Sequence, residues 1–287
     1  MKYAFIREYR SEHSVALMCK VLRASRSGYY AWVRRRPGPR ANANQELLGE
    51  IRACHLRAKQ VYGSPRIHKD LRSRGICCGK NRVARLMRSN GIVAKQVRRF
   101  RVTTRVKKDG KYAPDRLQRR FLAVRPHQVW TSDITYIWTE EGWLYLAIIL
   151  DVFSRSIVAW VTSARIDAQL VCRTLSLALQ KASPAQEIIF HSDRGSEYVN
   201  DAIGRVIVGS PVEIMPSHAY SCYDNAITES FFHTLKSECV HHERYITREE
   251  AHQSLFQFIE VFYNRQRLHS ALGYRTPAEA SALAKAA

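Results

Sequence analysis

Val129-Trp130-Thr131-Ser132-Asp133-Ile134-Thr135-Tyr136-Ile137-Trp138 is built almost wholly from β-branched and aromatic residues, the composition of a sheet strand. One residue breaks the pattern. Aspartate is depleted in strands, yet Asp133 sits in the middle of the run. Outward from this stretch, Gly142 to Leu150 predicts a second strand after the turn Glu140-Glu141-Gly142, and Arg155 to Val161 a third after the turn around Asp151 to Ser154. Short turns between three consecutive strands predict an antiparallel meander. Ile166 to Lys181 has apolar positions at 170, 171, 175, 177 and 179 and predicts a helix. Glu187 to His191 predicts a short buried strand and Val212 to Met215 another, whereas Ala202 to Ser210, with Gly204 and Gly209, reads as a poor helix. Asp224 to Glu238 predicts a helix capped by Asp224 or Asn225. That order gives an α/β fold, a layer of helices on a mixed sheet.

Two further carboxylates stand where apolar neighbours would want none. Asp193 follows Ile188-Ile189-Phe190 in His191-Ser192-Asp193-Arg194-Gly195, at the carboxyl end of a strand, where α/β sheets place ligand groups. Glu229 lies in Asn225-Ala226-Ile227-Thr228-Glu229-Ser230-Phe231-Phe232, beside side chains that must face the sheet. Burying a carboxylate is costly unless it meets a cation. Three converging carboxylates would hold a divalent metal, and oxygen-only ligation points to Mg²⁺ or Mn²⁺. Each acid alone has a plainer explanation: a turn hydrogen bond for Asp133, an Asx-turn with Gly195 for Asp193, an ion pair along its own helix for Glu229.

The charge is divided unevenly. The chain's 287 residues carry 46 Lys and Arg against 25 Asp and Glu, a formal net charge of +21. Residues 1–120 hold 32 of the basic and 7 of the acidic side chains, and residues 121–287 hold 14 and 18. A basic half beside an acidic half separates gripping a polyanion from another task, and nucleic acid is the first candidate because each neutralised phosphate releases counterions. At 46% hydrophobic the chain is no disordered polycation, and its longest apolar stretch, Leu144 to Leu150, falls far short of a membrane span. The start, Met1 to Glu8, has no apolar signal region, so a cytoplasmic, nucleoid-associated protein with no membrane partner is expected. Seven cysteines without a Cys-x-x-Cys pair read as reduced thiols, and His241-His242 as a surface pair.

Within the basic half, Ser64-Pro65 reads as an N-cap followed by proline at the first helical position, and Ile67 and Leu71 share a face. Lys80 to Ser89 puts Val83, Leu86 and Met87 on one side and Arg82, Arg85 and Arg88 on another, before Asn90-Gly91 stops it. The two read as a helix-turn-helix whose second helix could enter a DNA major groove, or as an ordinary helical hairpin with a solvated basic face. Residues 14 to 35 read as a smaller helix pair, with Tyr29, Tyr30 and Trp32 as its core or as base-stacking rings. Arg34 to Pro39 reads as a linker, and Val97 to Arg120 as an extended basic arm. The expected domains are therefore 1–40, a small helical segment; 41–96, helix-turn-helix; 97–122, basic arm; 123–240, the α/β core that carries the three acids; and 241–287, a helical tail.

Trp-x-x-Asp133-Ile-Thr-Tyr, His-Ser-Asp193-Arg-Gly-x-x-Tyr and Tyr-Asp-Asn-Ala-x-x-Glu229-Ser-Phe-Phe together resemble the acidic triad of retroviral-integrase-type transposases. The second and third acids are separated by the family's 35 residues. The resemblance is strongest to the OrfB products of insertion sequences and runs nearly end to end. It includes Tyr62-Gly63-Ser64-Pro65-Arg66-Ile67 and the tail Tyr263-Asn264-Arg265-x-Arg267-x-His269-Ser270-x-Leu272-Gly273-Tyr274-x-Thr276-Pro277. It departs at Pro216 to Cys222, which lacks the glycine and basic residues that family members carry before Tyr-Asp-Asn-Ala. The resemblance implies a ribonuclease H-like core, preceded by an all-α DNA-binding region, that uses two Mg²⁺ or Mn²⁺ ions held by Asp133, Asp193 and Glu229 to cleave and join strands at element ends. It implies duplex DNA as partner, a homo-oligomer on that DNA, and an upstream-frame partner protein. Arg66, Arg82, Arg85, Arg88 and Lys236 are the expected DNA contacts, Lys236 lying two helical turns beyond Glu229. A catalytically silent DNA-binding regulator and a ribonuclease H-type nuclease remain open alternatives.

Overall fold

Three short helices open the chain in the computed structural model: α1 (Lys2–Glu8), α2 (Val15–Val21) and α3 (Arg26–Arg34). The model describes residues 1–34, 38–95, 123–184, 186–192, 198, 201–210, 213–218 and 225–286. Ser14 caps α2 by accepting from Leu17 N at 3.2 Å. Ile6, Met18, Cys19 and Tyr29 are buried together, with Tyr3 and Trp32 packed around them. Tyr29 is thus a core residue, while Tyr30 and Val33 stay exposed. The helix pair expected here gains a third member, α1, whose Ile6 closes the cluster. These helices belong to a first compact unit, Met1–Ala53; the second is Cys54–Ala287. A longer helix, α4 (Pro39–Arg57), follows, and residues 35–37 of the expected linker lie outside the described residues.

The second unit contains both the helical hairpin and the sheet. Helices α5 (Ser64–Ser73) and α6 (Lys80–Ser89) pack through Ile67, Leu71, Val83, Leu86 and Met87, all buried. The cap of α5 is Gly63, in extended backbone, not Ser64. Proline suits any of the first helical positions, because their N–H groups have no partner inside the helix, so its presence could not fix the cap to a single residue. Gly75 and Gly91 take positive φ, and Ile76 N and Ile92 N return to Leu71 O and Met87 O, closing each helix.

Strands β1 (Val129–Thr139), β2 (Gly142–Asp151) and β3 (Ile157–Ser163) form the antiparallel meander. After α7 (Ala168–Ala182), β4 (Ile188–Ser192) lies parallel to β1, and β5 (Ile214–His218) extends the sheet in the order β3-β2-β1-β4-β5. One face, with Trp130, Ile149, Ala159 and Phe190, packs on Val171, Leu175 and Ala178 of α7. Asp167 caps that helix by accepting from Leu170 N at 2.9 Å. Between β4 and β5 stands α8 (Asp201–Val208), in the stretch whose sequence reads as a poor helix. Ile203, Val206 and Ile207 join the same core, and that burial outweighs the roughly 1 kcal/mol that Gly204 costs a helix.

The opposite face carries α9 (Ala226–Glu238) and α10 (Arg248–Phe256), which runs on as the π-helical turn Gln257–Tyr263; α11 (Pro277–Ala286) ends the chain's described part. Trp160 Nε1 donates to Glu260 Oε1 at 3.0 Å, and Asn264 Oδ1 accepts from Ile157 N at 2.9 Å, fixing this layer to β3. The tail also binds the hairpin: Tyr62 OH donates to Gln266 O and accepts from Leu268 N at 2.7 Å. The basic arm, 97–122, lies outside the described residues. Among those described, no helix is long and apolar enough to cross a membrane.

Candidate active site

β4 pairs with β1 only from Val129 to Thr131, so among the described residues the edge of β1 from Ser132 onward has no strand neighbour. Asp133 stands on that open edge, half-buried, and its Oδ1 accepts from Ile134 N at 2.7 Å. The position explains how a strand tolerates an aspartate: the carboxylate satisfies a backbone N–H at the edge and still reaches out of the sheet.

Helix α9 is fastened beside this edge. Thr228 Oγ1 donates to Thr131 Oγ1 at 2.8 Å, and Asn225 Nδ2 donates to Ser132 O at 3.2 Å, both within the buried interface. Asn225 is the N-cap residue, but its side chain serves the strand and caps nothing. Ile227, Phe231, Phe232 and Leu235 turn inward. Glu229 faces outward, not toward the sheet as its apolar neighbours suggested, because Thr228 takes the contact with β1. The surrounding protein still desolvates the Glu229 carboxyl enough to raise its pKa, and among the described residues no cation pairs with it.

Lys236 lies seven residues after Glu229, about 10 Å along the same helical face. Its Nζ sits 4.8 Å from the centre of the Tyr136 ring. Burial lowers the Lys236 pKa and the nearby Asp133 carboxylate works against that, so the two side chains share one electrostatic neighbourhood. Asp193 follows β4 directly in sequence but lies outside the described residues; His191, two residues earlier, is paired opposite Thr131. Among the described residues no group of three or more His, Cys, Asp or Glu is gathered for a metal. The donors that are placed, Asp133 and the cation-free Glu229, are hard oxygen ligands of the kind Mg²⁺ and Mn²⁺ take.

The expected DNA contacts divide in two. On α6, Arg85 and Arg88 are exposed and Arg82 is half-buried, opposite the buried Val83-Leu86-Met87 face. Arg66 is turned inward: its Nε donates to Leu268 O at 3.0 Å and its Nη1 stands 3.8 Å from Glu238. Thr228 was not singled out in the sequence, and Asn225 and Tyr136 were named only as a helix cap and as motif positions; the signal for the contact with β1 was two polar side chains, at 225 and 228, on the inward face of the helix.

Residues 123–237 match the family model "Integrase core domain", residues 229–279 a second model of that description, and residues 42–100 the model "HTH-like domain". The chain is 41% identical over 91% of its length, and 96% of the relative, to the "Insertion element IS600 uncharacterized 31 kDa protein" of Shigella sonnei. It is 39% identical to "Transposase InsF for insertion sequence IS3A" of Escherichia coli (strain K12), covering 96% of this chain and 97% of that one. Among solved structures, a chain of the simian T-cell lymphotropic virus intasome in complex with PP2A regulatory subunit B56 gamma aligns at 12% identity with a TM-score of 0.46, over 79% of this chain and 73% of that one.

Proposed function

Because the chain belongs to the transposases of IS3-type insertion sequences, we propose that its DNA transposition runs through Asp133, Asp193 and Glu229 as ligands of two divalent ions, Mg²⁺ or Mn²⁺. The observation that carries this reading is the bonding of α9 to β1 at Thr131 and Ser132, with Lys236 of that helix in the electrostatic neighbourhood of Asp133. When bound, the ions supply Lewis acidity for the attacking and the leaving oxygens of a phosphodiester. The chain's own groups do the rest. Asp133 and Glu229 keep their places through the Thr228–Thr131 and Asn225–Ser132 bonds, which tie helix to strand. Lys236, a cation held against Tyr136, grips a phosphate of the terminal DNA. No covalent protein–DNA intermediate is needed.

In this reading residues 41–96 grip duplex DNA, with Arg82, Arg85 and Arg88 of α6 along the groove, and residues 97–122 track phosphates as a basic arm. Arg66 is left out of the groove contacts of α6 because its guanidinium is turned into the protein, toward Leu268 O. Joining two element ends calls for more than one active site, so the working form is a multimer on DNA. The test uses full-length protein, a labelled terminal-repeat oligonucleotide and Mg²⁺ or Mn²⁺. Nicking and joining are expected, and both should vanish in Asp133→Asn. Joining that survives Asp133→Asn would defeat the metal assignment, and its absence in folded wild-type protein would favour a silent DNA-binding regulator.

A further inference from the structure

Against α9 lies a cavity of about 200 Å³, room for some six waters at about 30 Å³ each. Its walls bring together two stretches of sequence that the candidate active site leaves unused. Arg66 comes from the Tyr62–Ile67 run; Arg267, His269 and Ser270 come from the tail; Arg155 and Ser230 complete it.

The charges here do not balance. Glu238 is held by Arg267 in a two-pronged pair, both bonds 2.7 Å, and more loosely by Arg66 at 3.8 Å. Asp151, the other acid near Arg155, already accepts from His127 N and from both Ser154 N and Ser154 Oγ. Among the described residues no carboxylate stands within ion-pair distance of Arg155, although burial desolvates that guanidinium and lowers its pKa. Arg155 also has a φ of +61°, a left-handed backbone that a long side chain rarely adopts. A glycine or asparagine would suit that turn better.

His269 is the second, independent sign. It is 9% exposed, its ring stands edge-on to Tyr263 with centroids 4.8 Å apart, and its Nε2 is buried without a hydrogen-bond partner. Burial first, then the charges of Arg267, Arg66 and Arg155, push its pKa down to about 3. All three guanidiniums are therefore close enough to act on one orphaned nitrogen. A bound anion would favour the protonated ring and give Nε2 an acceptor.

We infer that this cavity binds a phosphate group, seated among Arg155, Arg66 and His269, with the exposed Ser230 and Ser270 hydroxyls at its mouth. Phosphate chemistry fits because the guanidinium donors of Arg155 and Arg66 and the hydroxyls of Ser230 and Ser270 line one space. Ser230 directly follows Glu229, so a DNA strand whose backbone phosphate sits here runs past the candidate active site. The DNA source rests on the function proposed above; the affinity for phosphate does not.

The test uses full-length protein in EDTA, where loss of catalysis has no bearing. Inorganic phosphate, at ionic strength matched with sodium chloride, should raise the wild-type Tm along a saturating curve. Arg155→Asn, which suits the left-handed turn, should keep its Tm in chloride and lose the rise; His269→Gln should weaken it. If DNA supplies the phosphate, Arg155→Asn should also make the slope of log K against log salt for duplex binding shallower by about 0.9. A Tm rise with an unchanged slope upholds the pocket and assigns it to free phosphate. No Tm rise in wild type, together with no slope change in Arg155→Asn, overturns the inference.

Discussion

Replacing Thr228 by valine keeps the shape of the side chain and removes one hydrogen bond, the 2.8 Å bond to Thr131 Oγ1. Both residues are 0% exposed, so water cannot replace the missing partner and the Thr131 hydroxyl is left unsatisfied in the interior. Such a group costs about 1–3 kcal/mol. For a domain of this size each kcal/mol moves Tm by about 2–4 °C, so Thr228→Val should lower Tm by roughly 2–12 °C. The double variant Thr131→Val with Thr228→Val removes both hydroxyls together and should recover most of that loss, because two matched apolar groups leave nothing unpaired. Activity should not recover in parallel. The bond holds the helix bearing Glu229 against the strand bearing Asp133, and a displacement of about 1 Å at a reacting centre costs up to about 100-fold in rate. Thermal melts and single-turnover strand joining on the four proteins of the cycle give both readouts. A double variant as unstable as the sum of its singles would refute the pairing, and full joining activity in a folded double variant would refute the positioning role.

Three further outcomes are expected. Arg85→Ala with Arg88→Ala should make the salt slope of duplex binding shallower by about 0.9 for each phosphate no longer neutralised; an unchanged slope in folded protein would leave α6 as a solvated basic face. Arg267→Met should cost up to about 3–5 kcal/mol by removing the two-pronged partner of Glu238, which keeps only Arg66 at 3.8 Å, while Arg267→Met with Glu238→Leu should be less harmful in urea titrations, the remaining cost being an Arg66 without its carboxylate. His269 has a folded-state pKa of about 3 against an ordinary 6.5, so its contribution to stability is complete above about pH 6.5 and declines as pH falls toward 3. In phosphate-free buffer, His269→Gln should flatten that part of the pH–stability curve, and an identical acid limb in both proteins would contradict the depressed pKa.

What could be read without coordinates was what local chemistry dictates. β-branched and aromatic alternation located β1, β2 and β3, and a 3.6-residue apolar period located α7 and α6 with its arginine stripe. The misplacements have a common cause. α8 forms despite Gly204 because Ile203, Val206 and Ile207 find a core that only the folded sheet and α7 create. Glu229 points away from the sheet because Thr228, not the apolar side chains alone, defines the contact of α9 with β1.

Motif residues along a chain carry no information about which of them the fold will turn inward. Arg66 and Arg88 are both arginines in a basic half, yet Arg66 is bonded to a carbonyl two hundred residues away in sequence while Arg88 lies exposed. The chain's own order was enough to separate a basic half from an acidic one and to mark three acids as candidates, because charge and periodicity are local properties. Which helix is bonded to β1 beside Asp133, and that Arg66, Arg155 and His269 line one cavity, were settled by tertiary packing. Those are relations between distant segments, determined by where each buried polar group finds its partner.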